Sequence, residues 1–219
     1  MKMLDVPQSG SQAGVTSSHN RYGQYQRTRA IPVNPSSNAQ GTMRARLAAA
    51  SAAWRSLTDL LRSGWESLAL QMSRSDALGQ SYTLNGFGAF VSVNQNLANA
   101  GAAAVTAAPA LVTPAACVTV ALTGTAATLS LAYTVTPLPA GEKLLVYASP
   151  QRSAGRSFEG DLRLIHVSAA AAASPANIFS AYSARFGTPV VGNRVFVAAH
   201  VGISGFRSGP ALTSAVITA

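Results

Sequence analysis

The sequence predicts an α+β protein in which three patterns follow one another along the chain. Residues 1–35 show no helical periodicity, whereas residues 36–101 repeat apolar side chains at spacings of three and four. Residues 117–219 alternate apolar and polar side chains with a period of two. We therefore expect an extended basic arm or hairpin, a small helical segment of two or three helices and a C-terminal antiparallel β-sandwich. The Ala- and Pro-rich residues 102–116 are expected to form a linker between the last two.

The arm carries a weak alternating pattern over residues 14–31, and Asn20 to Gly23 has residue types typical of a turn. These features predict a β-hairpin or an extended arm. An isolated two-stranded hairpin is marginally stable in water. We therefore expect this one to gain stability by pairing with the sheet edge of a neighbouring protein. Pro32 and Pro35 favour an extended exit from the arm, because each disfavours the helical conformation of the residue before it.

Helix boundaries are marked by capping residues. Ser37 and Gln40 have the spacing of a capping box, which predicts a helix over residues 38–57. Thr58 is the N-cap signal for a second helix that runs to about Met72. The short connection between these helices predicts an antiparallel helical hairpin.

Two tryptophans, Trp54 and Trp65, are expected to contribute to the seam of this helical hairpin as structural anchors. A third helix is predicted over residues 86–100, where Phe87, Phe90, Val91, Asn94, Leu97 and Ala98 follow helical spacing. Gly101 is in the position to cap its C-terminal end.

The C-terminal block contains short alternating segments separated by Gly- and Pro-containing turns. Six or seven strands within about 100 residues are typical of a β-sandwich. The main predicted strands are residues 118–122, 129–135, 144–147, 162–167, 195–201 and 212–217.

The composition favours a protein that works inside an assembly. Charged residues make up 11% of the chain, well below the usual share of about 25%. The net charge is +9, and the excess is concentrated toward the N-terminus, since residues 1–76 contain nine basic and four acidic side chains. Eight of these nine cations are Arg, which suits bidentate pairing with carboxylate or phosphate. The partner is expected to be an acidic protein surface or a nucleic acid.

Cysteine and hydropathy exclude several classes of protein. Cys117 is the single cysteine, so a disulfide framework and a multi-cysteine metal site are excluded, and a packed thiol is expected. No apolar run follows Lys2, which argues against a signal peptide. No stretch of 18 apolar residues is free of polar or turn-forming breaks, so no membrane span or membrane partner is expected.

Nothing in the residue spacing indicates catalysis, a metal or a cofactor, and we predict a non-enzymatic protein. His19, His166 and His200 are expected to be packed or surface imidazoles, although the last two could meet across a sheet. Glu159 and Asp161 are expected to form a solvated acidic pair rather than a catalytic dyad. The chain has no nucleophile elbow, phosphate-binding loop or dinucleotide fingerprint.

The candidate partner-binding residues interleave cations and aromatics in the arm. They are Arg21, Tyr22, Tyr25, Arg27 and Arg29. This pattern suits phosphate binding with base stacking, and it equally suits carboxylate pairing with tyrosine packing on a protein. A protein partner is favoured because Lys is almost absent and the excess charge is modest for a nucleic-acid binder.

A series of short motifs is spread over most of the chain. They are Asn20-Arg21-Tyr22-Gly23-Gln24-Tyr25, Arg27, Arg29, Ile31-Pro32-Val33-Asn34-Pro35, Gln40, Arg44, Trp54-Arg55-Ser56-Leu57-Thr58, Arg62, Trp65, Tyr82-Thr83-Leu84-Asn85-Gly86-Phe87 and Asn94-Gln95-Asn96-Leu97. In these motifs the chain resembles a group of proteins encoded in tailed-phage and prophage genomes. The resemblance extends more loosely to Arg152-Ser153-Ala154-Gly155 and residues 205–208. Where the group has Gln in the second capping box, this chain has Leu61. The resemblance implies a structural role in the virion and no catalytic residues.

The C-terminal half also resembles a fibronectin type III or immunoglobulin-like module, which phages place on capsid and tail surfaces. The leading hypothesis is a capsid cement or decoration protein, bound to the major capsid protein as a homo-oligomer or a lattice-bound subunit. The alternatives are a head-to-tail or tail component in contact with portal or tail proteins, and an internal DNA-contacting protein. An adhesin that binds a sugar or receptor is a further alternative, with Tyr147, Phe158 and Tyr182 as candidate exposed aromatics.

Overall fold

The computed structural model describes residues 9–31, 33–76 and 78–219. The start of the predicted arm (1–8) and Pro32 in its exit lie outside the described residues. The chain divides into two compact units, residues 1–44 (unit 1) and residues 45–219 (unit 2). Helices and antiparallel sheets are both present, which confirms the predicted α+β class.

Unit 1 contains a three-stranded antiparallel sheet in the order β1-β2-β3. Its strands are β1 (Gly10–Gln12), β2 (Val15–Asn20) and β3 (Gly23–Thr28). The predicted hairpin is confirmed, and β1 is an additional strand that the sequence pattern did not reveal. The turn consists of Arg21 and Tyr22. The Asn20 side-chain oxygen accepts a hydrogen bond from the Tyr22 backbone N–H at 2.9 Å. This contact with the backbone two residues on is the reason that Asn favours the start of a turn.

The three predicted helices are present with boundaries close to those expected. They are α1 (Asn38–Ser56), α2 (Asp59–Gln71) and α3 (Gly86–Asn99), with the short hairpin β4 (Ser73–Ser75) and β5 (Ser81–Thr83) between the last two. Thr58 caps α2 by accepting a hydrogen bond from Leu61 N–H at 3.5 Å. Asn85 caps α3 more tightly, through Gly88 N–H at 2.7 Å.

The main packing partner of α2 is α3. Helix α1 joins the same apolar cluster through Ala50, Ala53 and Trp54. Leu47 of α1 is 49% exposed. Gly86 explains the close approach of α3, because an added Cβ there would lie 2.8 Å from the Glu66 side chain and 3.2 Å from the Glu66 backbone nitrogen. The apolar helical cluster is centred on Trp65, Phe90 and Val93.

Two antiparallel sheets follow in the C-terminal part of unit 2. One has the order β11-β7-β6, and the other has the order β10-β8-β12-β13, with β14 and β9 also paired to β12. Their bounds are β6 (Val120–Gly124), β7 (Leu129–Tyr133), β8 (Lys143–Ala148), β9 (Arg152–Ser153), β10 (Arg163–Val167), β11 (Ala176–Asn177), β12 (Asn193–Ile203), β13 (Phe206–Arg207) and β14 (Ala211–Val216). Buried side chains of both sheets form one apolar cluster.

A fourth helix, α4 (Phe179–Phe186), lies between β11 and β12 in the chain and was not predicted. Its Tyr182 is fully buried, and the hydroxyl donates a hydrogen bond to the Ser149 carbonyl at 3.1 Å. Burial raises the pKa of this tyrosine to about 12. A residue with this environment anchors the sheet core.

Residues 102–116 have no regular secondary structure, but their backbone is held at both ends. The Trp65 indole N–H donates to the Thr106 carbonyl at 2.8 Å. The Asn94 amide makes two hydrogen bonds to the backbone of Val105, at 3.2 and 2.8 Å. Near the other end, the buried Glu142 carboxylate accepts a hydrogen bond from Ala115 N–H at 2.9 Å. This segment is therefore fixed to both the helices and the sheets.

The turn between β12 and β13 packs directly against α3. Gly205 has a φ of +83°, and an added Cβ would lie 2.5 Å from the Val93 side chain and 2.8 Å from the Val93 carbonyl oxygen. The Asn96 side-chain amide donates to the Gly205 carbonyl at 2.8 Å. Phe206 is buried within the helical cluster. Helices and sheets of unit 2 thus share a packed contact at this turn.

We expect Gly205→Ala to lower the free energy of unfolding of the full chain by about 2–5 kcal/mol, because the positive φ and the steric overlap with Val93 both oppose a Cβ. Urea denaturation followed by circular dichroism measures this change. Gly101→Ala is the matched control, since Gly101 has a φ of +68° with no atom within 4 Å of the added Cβ. Equal losses in the two variants would contradict the close contact at Gly205.

Candidate interaction sites

The sheet of unit 1 has no buried core among the residues that the structure describes. None of the described residues of unit 1 is buried, and those of β2 and β3 with the lowest exposure are half-buried, among them Thr16, Ser18 and Tyr25. A small sheet needs an apolar face packed against something else to be stable in water. This sheet therefore has the properties of a surface that a partner covers.

Two of the predicted binding residues share one face of this sheet. Tyr25 is opposite Ser18, and Arg27 is opposite Thr16 in the β2–β3 ladder. Because side chains two residues apart in a strand point to the same face, these four residues form a surface with one aromatic ring and one guanidinium group among hydroxyl groups. Arg29 follows directly after β3, where its backbone N–H donates to the Gly14 carbonyl at 2.8 Å.

The other two predicted residues form the tip of the hairpin. The Arg21 guanidinium lies 5.1 Å from the centre of the Tyr22 ring, and Tyr22 is 73% exposed. Residues 9–44 contain four arginines and no Asp or Glu. The described part of the arm thus presents cations and tyrosines without a carboxylate of its own to pair with them, which favours an acidic partner.

The two tryptophans meet at one residue of α3. The Trp54 and Trp65 rings lie 5.6 and 5.2 Å from the Phe90 ring, and Trp54 also contacts Phe87 at 5.8 Å. Trp65 is fully buried, whereas Trp54 is half-buried. The predicted anchor residues therefore pack within unit 2, and Trp65 in particular is inaccessible to a partner.

The aromatic residues considered for an adhesin do not form one surface. Tyr182 is fully buried, so its prediction as an exposed platform residue is wrong. Tyr147 is half-buried against His200, with ring centres 5.4 Å apart. Phe158 is 62% exposed and lies 4.2 Å below the Arg156 guanidinium.

The titratable residues of the sheets are held in structural contacts. His166 and His200 lie on β10 and β12, which are separated by β8, and burial lowers the pKa of each. Asp161 pairs with Arg152. Burial raises the pKa of the half-buried Cys117 thiol, which disfavours the reactive thiolate. Among the described residues there is no cluster of three potential metal ligands.

A large cleft in unit 2 brings together residues that no sequence pattern connected with one another. Its volume is about 930 Å³, and its lining includes Arg74, Tyr82, Ser92, His200 and Arg207. The two arginines are separated by more than half of the chain, so no sequence spacing connects them.

In the part of the chain that the structure describes, no helix has the length and hydropathy needed to cross a bilayer.

We expect Trp65→Ala to lower the free energy of unfolding by about 3–5 kcal/mol, because it empties the centre of the helical cluster. Trp54→Ala should cost less, since Trp54 keeps part of its surface in water. Trp65→Phe retains an aromatic ring but leaves the Thr106 carbonyl without its donor, at a cost of about 1–3 kcal/mol. Chemical denaturation of the three variants tests this order, and a larger loss for Trp54→Ala than for Trp65→Ala would contradict it.

Comparisons with known proteins give no relative from which a function can be transferred. No protein-family model, curated protein or solved structure matches this chain. Any function assigned to this chain therefore rests on the chemistry of its own arm and cleft.

Proposed function

We propose that this protein is a non-enzymatic structural component of a virion that docks through its basic arm onto an acidic surface of a neighbouring virion protein. Capsid cement or decoration is the role we favour. The observation that carries the proposal is the sheet of unit 1, which has no buried residue among those described and no acidic residue from 9 to 44. A surface of this kind gains both packing and charge neutralisation from a partner.

The open edge of β3 offers a specific mode of docking. In the sheet order β1-β2-β3, β3 pairs on one side with β2 and is the outer strand on the other among the residues that the structure describes. A strand of the partner added at this edge pairs with the backbone groups of β3, while the arginines pair with carboxylates. Each such contact is modest, but many copies on a repeating lattice reinforce one another through avidity.

The C-terminal sheets support the finer assignment to a fibronectin type III or immunoglobulin-like module. Of seven strands taken in chain order (β6, β7, β8, β10, β11, β12 and β14), the first, second and fifth form one sheet. The third, fourth, sixth and seventh form the other. In immunoglobulin-type folds, strands A, B and E similarly lie in one sheet and strands C, F and G in the other. The fourth strand differs, because D joins A, B and E in the constant-type fold whereas β10 pairs with β8 here. Such a module suits projection from a particle surface, although fold alone does not fix function.

Copy number separates the favoured role from a position at the neck or tail. We expect quantitative mass spectrometry of purified particles to find on the order of hundreds of copies, as a lattice of capsid subunits requires. About six or twelve copies would place the protein in a ring at the head-to-tail junction or in the tail. Absence from particles would overturn the virion proposal and favour the adhesin or DNA-contacting alternatives.

Removing the arm should separate docking from folding. We expect deletion of residues 1–35 to leave unit 2 folded, since both of its apolar clusters lie within residues 45–219, and to abolish incorporation into particles. Circular dichroism and mass spectrometry of particles measure the two effects. Unfolding of unit 2 on deletion, or unchanged incorporation, would contradict the role of the arm.

A charge variant of the intact arm refines this experiment. Arg27→Glu reverses the charge on the face that carries Tyr25 and should reduce incorporation strongly, because it places an anion opposite the acidic partner surface. Arg185→Glu makes the same charge change at an exposed position of α4 and is the matched control. An equal effect of both would indicate a general dependence on net charge.

A further inference from the structure

The cleft in unit 2 lies where five parts of the chain approach one another. Its walls are the β4–β5 hairpin with the end of α2, one face of α3, residues 111–114, His200 of β12 and residues 205–210. Its volume of about 930 Å³ lies within the range of about 300–1,000 Å³ typical of small-molecule sites. The cleft is independent of the arm, because all of its lining residues belong to unit 2.

The charge of the cleft has one sign. Its lining contains Arg74 and Arg207 and no Asp or Glu. The nearby Asp76 carboxylate is engaged within the β4–β5 turn, where it accepts the backbone N–H groups of Leu78 and Gln80 at 2.8 and 2.9 Å. A concave site lined by one sign of charge concentrates ligands of the opposite sign.

Both guanidinium groups are oriented by neighbouring side chains. Arg74 on β4 donates to the Ser92 hydroxyl of α3. Arg207 on β13 donates to the Tyr147 hydroxyl at 3.2 Å and lies 5.8 Å from the centre of that ring. A guanidinium has five N–H donors, so one hydrogen bond to a neighbour leaves further donors for an anion. Preorganisation of this kind lowers the entropy that binding costs.

The remaining lining residues are suited to hydrogen bonds with the hydroxyl groups of a ligand. Ser73, Ser75 and Thr113 supply side chains that both donate and accept hydrogen bonds. His200 also lines the cleft, and its Nδ1 contacts the Ser208 carbonyl at 2.9 Å and must carry the proton there, which leaves Nε2 unprotonated in the neutral ring. Burial lowers the pKa of His200 and favours this neutral form.

The cleft also has one accessible aromatic ring beside a small apolar surface. Tyr82 is 47% exposed, and Leu111 is 45% exposed. An amphipathic ring of this kind covers the C–H face of a sugar while its hydroxyl group hydrogen-bonds. Two separate cations among hydroxyl groups differ from the continuous basic groove with several stacking rings that single-stranded nucleic acids require.

From this arrangement we infer that the cleft between the β4–β5 hairpin, α3 and β13 binds an acidic oligosaccharide, with Arg74 and Arg207 pairing with its carboxylate or sulfate groups. The serines and Thr113 contact its hydroxyl groups, and Tyr82 packs on a sugar ring. A structural protein docked through its arm would thereby carry a separate site for acidic surface glycans.

Isothermal titration calorimetry of the full chain tests the inference with four probes. They are a carboxylated oligogalacturonide, a sulfated chondroitin oligosaccharide, a neutral maltooligosaccharide of the same length and a glutamate-rich peptide. We expect at least one acidic saccharide to bind, with an affinity that falls as salt is raised because the contacts are ionic. The carboxylated and sulfated probes identify which anion the arginines prefer. The neutral saccharide and the peptide should bind at least about tenfold more weakly.

Matched variants locate the site. Arg74→Gln and Arg207→Gln should each weaken binding by about tenfold, the effect of losing one charged hydrogen bond. Arg185→Gln removes the same charge at an exposed position outside the cleft and should leave binding unchanged. Arg74 and Arg207 are also exposed, so these variants should keep the unfolding midpoint of the parent chain.

Four results would overturn the inference. They are the absence of binding by both acidic saccharides, equal binding of the neutral saccharide, equal binding of the peptide, and equal losses in Arg185→Gln and the cleft variants. None of these results bears on particle incorporation, which depends on the arm. The two proposals can therefore fail separately.

Discussion

The arrangement of unit 2 depends on the packing of α3 between α2 and the turn that follows β12. At one end of α3, Gly86 lets the helix approach the backbone of Glu66. On another face, Gly205 lets the turn approach Val93. A side chain at either glycine would force these elements apart, and protein interiors have little free volume to absorb such a shift. The helical cluster, the β12–β13 turn and the cleft beside them therefore share one geometric constraint.

Unit 1 does not depend on close packing of this kind. Its sheet carries exposed polar, cationic and aromatic side chains, and none of its described residues is buried. Backbone hydrogen bonds define its register, but burial of apolar surface supplies most of the free energy that makes a fold stable. Under the proposed docking mode, the partner supplies this contribution. The low charged fraction of the chain, 11%, is consistent with a protein whose surface is covered in an assembly.

The two candidate sites use arginine in different ways. In the arm, Arg21 and Arg27 are exposed on a small sheet, which suits steering toward an extended acidic surface. In the cleft, Arg74 and Arg207 are oriented by Ser92 and Tyr147 within a concave space. Orientation favours recognition of a small anion with defined geometry, since less conformational freedom is lost on binding.

Local sequence patterns were sufficient to predict most of the larger helices and strands. The turn at Asn20 and the capping signals at Ser37 and Thr58 act within a few residues, and the alternation of the main strands is local as well, so their effects can be identified without a fold. Contacts of the folded chain place α2 against α3, bury Tyr182 and bring Arg74 to the same cleft as Arg207. Short strands such as β1, β11 and β13 also escaped prediction, because two or three residues carry too little periodicity. The helix packing, the buried tyrosine and the shared cleft arise from contacts between segments far apart in the chain. Residue spacing within one segment does not reveal such contacts.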